Sequence, residues 1–280
     1  MAERLYVLRT GTISMPKRWI RVGGSDEAVA IPVLAFLVVA GDRLILVDCG
    51  CSPVVAEDPT RAWGKLASLY HPQMGRGDLI DARIRQAGFE VGDITDVIVT
   101  HLHMDHVGGL RLLPHHPRIW VQRAEHRWGG CPDSYAAGGY YREEFDLPGL
   151  NLQLLDGDAT IADGVRCVLT AGHTPGHQSV LVRLPTRLTC IVGDAAYNRR
   201  GTRRAAGARR RLGHQPLHVG AGPVVDARVV LRRPVAVQPR RCAGGHPARR
   251  DESPVLTTRR RRGDRSSLIG RGLPFGRGTS

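Results

Sequence analysis

Between Thr100 and Gly109 the chain reads Thr-His-Leu-His-Met-Asp-His-Val-Gly-Gly. Imidazole nitrogen and carboxylate oxygen are the ligands that Zn²⁺ and similar divalent ions take when thiolates are absent. In an extended segment alternate residues share a face, so His101, His103 and Asp105 can point the same way. His106 follows where the chain would turn into a helix. Ligands packed this closely could serve two ions. The plainer alternative is a polar loop of satisfied histidines, and the density of ligands, closed by Gly108-Gly109, counts against it.

Such a cluster needs rigid delivery. Val97-Ile98-Val99 directly before it reads as a buried strand. Val33 to Val39 and Leu44 to Asp48 read as a hairpin around Gly41-Asp42, and an amphipathic helix is predicted from Asp78 to Gln86, ending at Gly88. Ile119-Trp120-Val121 and Leu152 to Leu155 add short strands. His173 lies in a Gly- and Pro-rich turn after Val168-Leu169, and Asp194 follows the apolar run Leu188 to Val192. Strands alternating with helices indicate a layered α/β protein.

The run His-X-His-X-Asp-His resembles the metal signature of the metallo-β-lactamase superfamily. Later segments resemble its N-acyl homoserine lactonase branch. These are Val121 to His126, Thr170-Ala171-Gly172-His173-Thr174-Pro175-Gly176-His177-Gln178-Ser179, and Gly193-Asp194-Ala195-Ala196-Tyr197. Leu44 to Gly50 is similar to the superfamily's strand ending in Asp-Thr-Gly, with Cys49 in place of Thr. The resemblance spans residues 1–198 and implies an αββα four-layer sandwich.

It further implies two divalent metal ions, Zn²⁺ by preference. His101, His103 and His173 would hold one, Asp105 and His106 the other, and Asp194 would bridge them. Asp48 would hold a ligand imidazole in its tautomer, and His177 would brace its loop. Two ions about 3.5–4 Å apart can share a hydroxide, because coordination brings the pKa of water to roughly 7. The implied reaction is hydroxide attack on a lactone carbonyl. Tyr197 would donate a hydrogen bond to the carbonyl or oxyanion, and Asp105 could pass a proton to the leaving alkoxide.

The net charge of +14 conceals two unlike parts. Residues 1–198 carry 19 Lys and Arg against 22 acids, whereas residues 199–280 carry 21 Arg against 4 acids. In the second part Val, Leu, Ile and Phe make up 16 of 82 residues, near the roughly 20% level below which disorder is expected at high charge. Resemblance to the lactonases also stops there, and the Gly-His-Asp motif whose histidine completes the second metal site is absent. Among His214, His218 and His246, Gly245-His246-Pro247 offers the nearest substitute context. Three readings compete for 199–280: a disordered extension, a nucleic-acid-binding arm, or a shifted reading frame. The abrupt change of composition favours the last, and the arginine runs lack the interleaved aromatics of a nucleic-acid site.

No segment has the make-up of a signal peptide, and the longest apolar run, Ile31 to Ala40, is too short for the roughly 20 residues of a membrane span. A cytoplasmic protein with a small-molecule lactone substrate and no membrane partner is the expectation. A homodimer is a prior carried from relatives. The six cysteines show no structural zinc spacing and read as buried or loop thiols. His115-His116 reads as a solvated turn. Competing functions are a thiolester or β-lactam hydrolase of the same superfamily, or an inactive remnant with a basic nucleic-acid-binding tail. Acyl-chain preference is not legible, because Met15, Leu66, Leu69 and Met74 look like ordinary core.

Overall fold

The computed structural model describes residues 1–20, 23–114 and 116–197. The first sheet contains β1 (Arg4–Pro16), β2 (Ala28–Ala40), β3 (Arg43–Val47), β4 (Asp96–Ile98), β5 (Arg118–Gln122) and β6 (Asn151–Leu155), in that spatial order. Strands β1 to β3 pair antiparallel as a meander, and β3 to β6 pair parallel. The second sheet is antiparallel, with β7 (Ala159–Ala162), β8 (Val165–Leu169), β9 (Gln178–Leu184) and β10 (Arg187–Ile191) in the order β10-β9-β8-β7.

The period of two in the strands separates the two faces of the first sheet. Leu37, Leu46 and Val97 turn to one side, where they pack with Ile80 and Ile84 of the helix Ile80–Gln86 and with Val107, Leu110 and Phe145. Val38, Ile45, Val47 and Ile98 turn to the other side and meet Val165, Cys167, Val180, Val182 and Ile191 of the second sheet. Each fully buried Val, Leu or Ile contributes about 1.5–3 kcal/mol, so the two cores lock β4 from both sides. Among the described residues this makes three layers, helix, sheet and sheet. The fourth layer of the expected αββα sandwich, His214, His218, His246 and the questions about 199–280 lie outside the described residues.

The hairpin forms around Gly41-Asp42, with Gly41 at φ 63°, where an L side chain would be strained. Its first strand starts five residues before Val33. The predicted helix from Asp78 splits into a 3₁₀ turn, Arg76–Asp78, and the helix proper from Ile80. The Asp78 carboxylate accepts from Gly75 N at 2.8 Å and caps that turn. Strand β1, 13 residues long, is not apparent in the sequence because its burial does not alternate cleanly and the register shifts between Arg9 and Gly11. The apolar run Ile31 to Ala40 lies within β2. Among the described residues no helix is long and apolar enough to cross a membrane. Of His115-His116, only His116 is described, and it is exposed.

Candidate metal centre

Strand β4 ends at Ile98, and the chain runs on extended to His103, whose φ and ψ are −71° and 150°. The single helical turn Met104–Val107 begins after it. This change of conformation puts His101 and His103 on the extended run and Asp105 and His106 on the helical turn. The turn presses on the loop after β3. A Cβ on Gly108 would lie 2.2 Å from Ser52 N, and one on Gly109 would lie 2.2 Å from Cys49 O. Gly108-Gly109 is therefore a close backbone approach that no larger residue permits.

Three imidazoles converge. His101 Nε2 lies 3.1 Å from His103 Nδ1, and His173 Nε2 lies 3.0 Å from the same atom. His173 arrives on the loop between β8 and β9, opposite the end of β4. Three nitrogens facing one point cannot all be satisfied by each other's protons, whereas a divalent cation accepts all three lone pairs. Burial, aided by the neighbouring imidazoles, pushes His101 and His103 well below the ordinary histidine range. Neutral imidazole is the form that ligates. The donor chemistry of these residues fits a metal.

A second triplet of donor atoms within 4.8 Å of one another is formed by His101, His106 and Asp194. His106 Nε2 is 3.4 Å from Asp194 Oδ1 and 3.6 Å from Asp105 Oδ2. The other oxygen, Asp194 Oδ2, lies 3.5 Å from His173 Nε2. Asp194 thus turns one oxygen toward each triplet. Asp105 stands beside His106, but the tighter grouping takes His101 in its place. The phenol of Tyr197 donates to Asp194 Oδ2 at 2.8 Å and lies 3.5 Å from His173 Nδ1.

Burial opposes a proton on His106, but Asp105, Asp48 and Asp194 overcome it and hold its pKa well above the ordinary value. Burial would likewise raise Asp194, and the charge on His106 with its hydrogen bond keeps that carboxyl far below the carboxylate range. Asp105 is raised by burial. Asp48, at the end of β3 with φ 58°, accepts from Thr100 N at 2.7 Å, from Thr100 Oγ1 at 2.8 Å and from His106 Nδ1 at 2.8 Å. Asp48 keeps a proton on Nδ1, so a cation that displaced the proton from Nε2 would find that nitrogen directed at it. His177 is buried, with Nδ1 2.8 Å from Thr170 Oγ1 and its pKa pushed down to about 3 by burial.

Residues 29–240 match the family model described as the metallo-beta-lactamase superfamily. The chain belongs to the metallo-beta-lactamase superfamily. Within it, the chain is 37% identical over 202 residues to the N-acyl homoserine lactonase AttM of Rhizobium radiobacter, covering 69% of this chain and 76% of that one. It is 30% identical over 171 residues to the lactonase AiiA of Bacillus thuringiensis subsp. kurstaki, covering 60% and 66%. Among solved structures, an N-acyl homoserine lactone hydrolase with N-hexanoyl-L-homoserine at its catalytic metal center superposes with a TM-score of 0.65 at 26% identity, covering 72% of this chain and 79% of that one. AidC, a dizinc quorum-quenching lactonase, shares the fold at 20% identity and a TM-score of 0.51, over 70% and 72% of the two chains.

The superfamily match continues past Asn198, where the recognisable lactonase motifs end. Five of the six residues expected as metal ligands fall in the two donor triplets, and the sixth, Asp105, lies beside His106. Of the four residues that looked like core, Met15 is buried and Leu66 and Met74 pack against its cluster, while Leu69 is exposed. Sequence reasoning passed over Thr100, Glu125 and Tyr140, which surround the ligand loops. The segment containing Glu125 stood out as a motif, but nothing in its local spacing identified a buried carboxylate.

Proposed function

We propose that this chain is a cytoplasmic, zinc-dependent hydrolase that opens the lactone ring of N-acyl homoserine lactones. The observation that carries the reading is the pair of donor triplets sharing His101, with Asp194 facing both and Tyr197 bonded to Asp194. The 37% identity to lactonase AttM supplies the substrate class. In this reading His101, His103 and His173 would hold one ion, and His106 and Asp194 the other, with Asp105, which stands beside His106, completing that set in place of His101. Bound divalent ions supply Lewis acidity, which polarises a carbonyl and brings the pKa of water to roughly 7.

The chain's own groups do the rest. Ring opening joins a water oxygen to the carbonyl carbon, breaks the bond from that carbon to the ring oxygen, and gives the ring oxygen a proton. Burial and the Asp194 carboxylate raise the Tyr197 phenol well above its ordinary pKa. It therefore stays protonated and can donate to the oxygen on which charge develops. Asp105, beside His106 at the same site, is the carboxyl that could pass a proton to the departing ring oxygen.

Opening of N-hexanoyl-homoserine lactone produces a carboxylate and one proton, which an indicator in weak buffer follows directly. Turnover abolished by a chelator, restored by Zn²⁺ and lost in Asp194→Asn is the expected result. Turnover that persists with the chelator present would overturn the reading. Faster hydrolysis of a thiolester or a β-lactam would assign the site to another reaction of the superfamily.

A further inference from the structure

The helix Arg123–Gly130 places a fully buried carboxylate in its first turn, Glu125. The two oxygens of this group serve different loops. Oε1 accepts from Leu102 N at 3.0 Å and from Tyr140 OH at 3.1 Å. Leu102 is the residue between His101 and His103, and the Tyr140 ring stands edge-on to His103 with centroids 4.7 Å apart. Oε2 accepts from Thr174 Oγ1 at 2.5 Å and from Gly176 N at 3.1 Å, both in the loop that carries His173. That loop lies hard against the helix, since a Cβ on Gly176 would be 2.1 Å from Glu125 N.

We infer that Glu125 is a positioning residue that sets the spacing between the His101-Leu102-His103 segment and the His173 loop, and so assembles the three-imidazole metal pocket. This rests on the metal-centre reading above. The ligand loops come from opposite sheets, β4 of the first and β8–β9 of the second, and their hydrogen-bonded bridges to Glu125 converge on one rigid group. Two of the four donors are backbone N–H groups, which cannot reverse direction. Glutamine is consequently a poor substitute: either orientation of its amide turns an NH₂ toward a backbone donor and releases one loop. Histidine ligation tolerates little change in spacing, because Zn–N distances are close to 2.0–2.1 Å. Glu125 does not touch the second triplet's His106 or Asp194 through any hydrogen bond among the described residues.

The test is Zn²⁺ affinity of the full-length chain by competition with a chromophoric chelator, for the natural chain, Glu125→Gln, His103→Ala and the double variant. The expected outcome is two ions in the natural chain. Glu125→Gln should bind the ion held with His103 and His173 about 10–100-fold more weakly, the usual range for supporting groups around a metal, and weaken the other, whose triplet shares only His101 with that pocket, by less. On the His103→Ala background the same change should cost nothing further, because both act on one pocket. Equal weakening of both ions, or an undiminished loss on that background, would show a general structural role and overturn the proposal. Two tight ions in Glu125→Gln would overturn it while leaving the metal centre intact, whereas a natural chain that binds no zinc would overturn both. If Glu125→Gln does not fold, Tyr140→Phe and Thr174→Val each remove one donor, and unchanged affinity in both folded variants refutes the clamp.

Discussion

Asp48 and His106 are joined by a 2.8 Å hydrogen bond from imidazole Nδ1 to carboxylate Oδ2, across the parallel junction of β3 with the segment that follows β4. The same carboxylate ties down Thr100 through two further bonds. It thereby fixes the tautomer of one candidate ligand and the backbone from which His101 departs. Asp48→Asn should keep the fold, since Asn tolerates the positive φ at this position. Its NH₂ would face at least one donor, so zinc affinity should fall about 10–100-fold. Chelator competition measures the loss, and unchanged affinity would remove Asp48 from the metal site.

Tyr197→Phe deletes the phenol that donates to Asp194 and leaves every candidate ligand in place. Metal content should remain unchanged while kcat falls, on the order of 100-fold if the phenol is one oxyanion donor. A drop in metal content together with activity would make Tyr197 a support for Asp194 instead.

Glu144 supplies a pH signature. Burial raises its carboxyl from the ordinary 4.5 to about 7, against the opposing hydrogen bond from Ser52 and the charge of Arg111. One oxygen, Oε2, is buried without a partner. An acid whose pKa is raised by folding binds more protons folded than unfolded between those values. Its contribution to stability is fully present below about pH 4.5 and is lost as the pH rises through about 7. Glu144→Gln should therefore gain stability relative to the natural chain at pH 8, by up to about 3 kcal/mol, and none near pH 4.5. Urea melts with a chelator present at the two pH values decide it, and a difference independent of pH would refute the assignment.

Gly176→Ala is expected to be more damaging than its size suggests. The new methyl would meet the Glu125 backbone at 2.1 Å, and backbone cannot swing aside as a side chain does. Overpacking of this kind costs about 1–3 kcal/mol, and the displaced His173 loop should weaken zinc binding as well. Thermal melts and zinc titration on the same sample test both effects. A variant as stable as the natural chain would mean that the loop is free to move.

Zinc itself should stabilise the chain, because converging imidazoles form only in the folded state. At a thousandfold excess over Kd the gain is about 4 kcal/mol. Melting temperature followed against free zinc should rise and then level off with the site's own Kd. A melt indifferent to zinc would contradict a preformed centre.

How far the site could be read before folding depends on how local each part is. His101, His103, Asp105 and His106 were legible because a strand end followed by a helical turn places near neighbours in sequence together in space, whatever the rest of the chain does. His173 and Asp194 were recognisable only through likeness to a family, since nothing at their own positions distinguishes a ligand from a loop histidine or a surface aspartate. The hairpin at Gly41-Asp42 and the helix ending before Gly88 announced themselves through turn chemistry. The first strand did not, because its bulge near Gly11 interrupts the alternation on which such a reading depends.

The sequence alone therefore determined the ligand types, their local grouping and the strand that delivers them, all of which follow from short-range geometry. The tertiary structure alone decided that His101 belongs to both donor triplets, that Asp194 turns an oxygen to each, and that Glu125 joins two loops from different sheets. Such relationships are set by the packing of β4 against β8 and β9 through a shared core. Residues brought together that way are separated by tens of positions along the chain, where neither period nor spacing carries any trace of their contact.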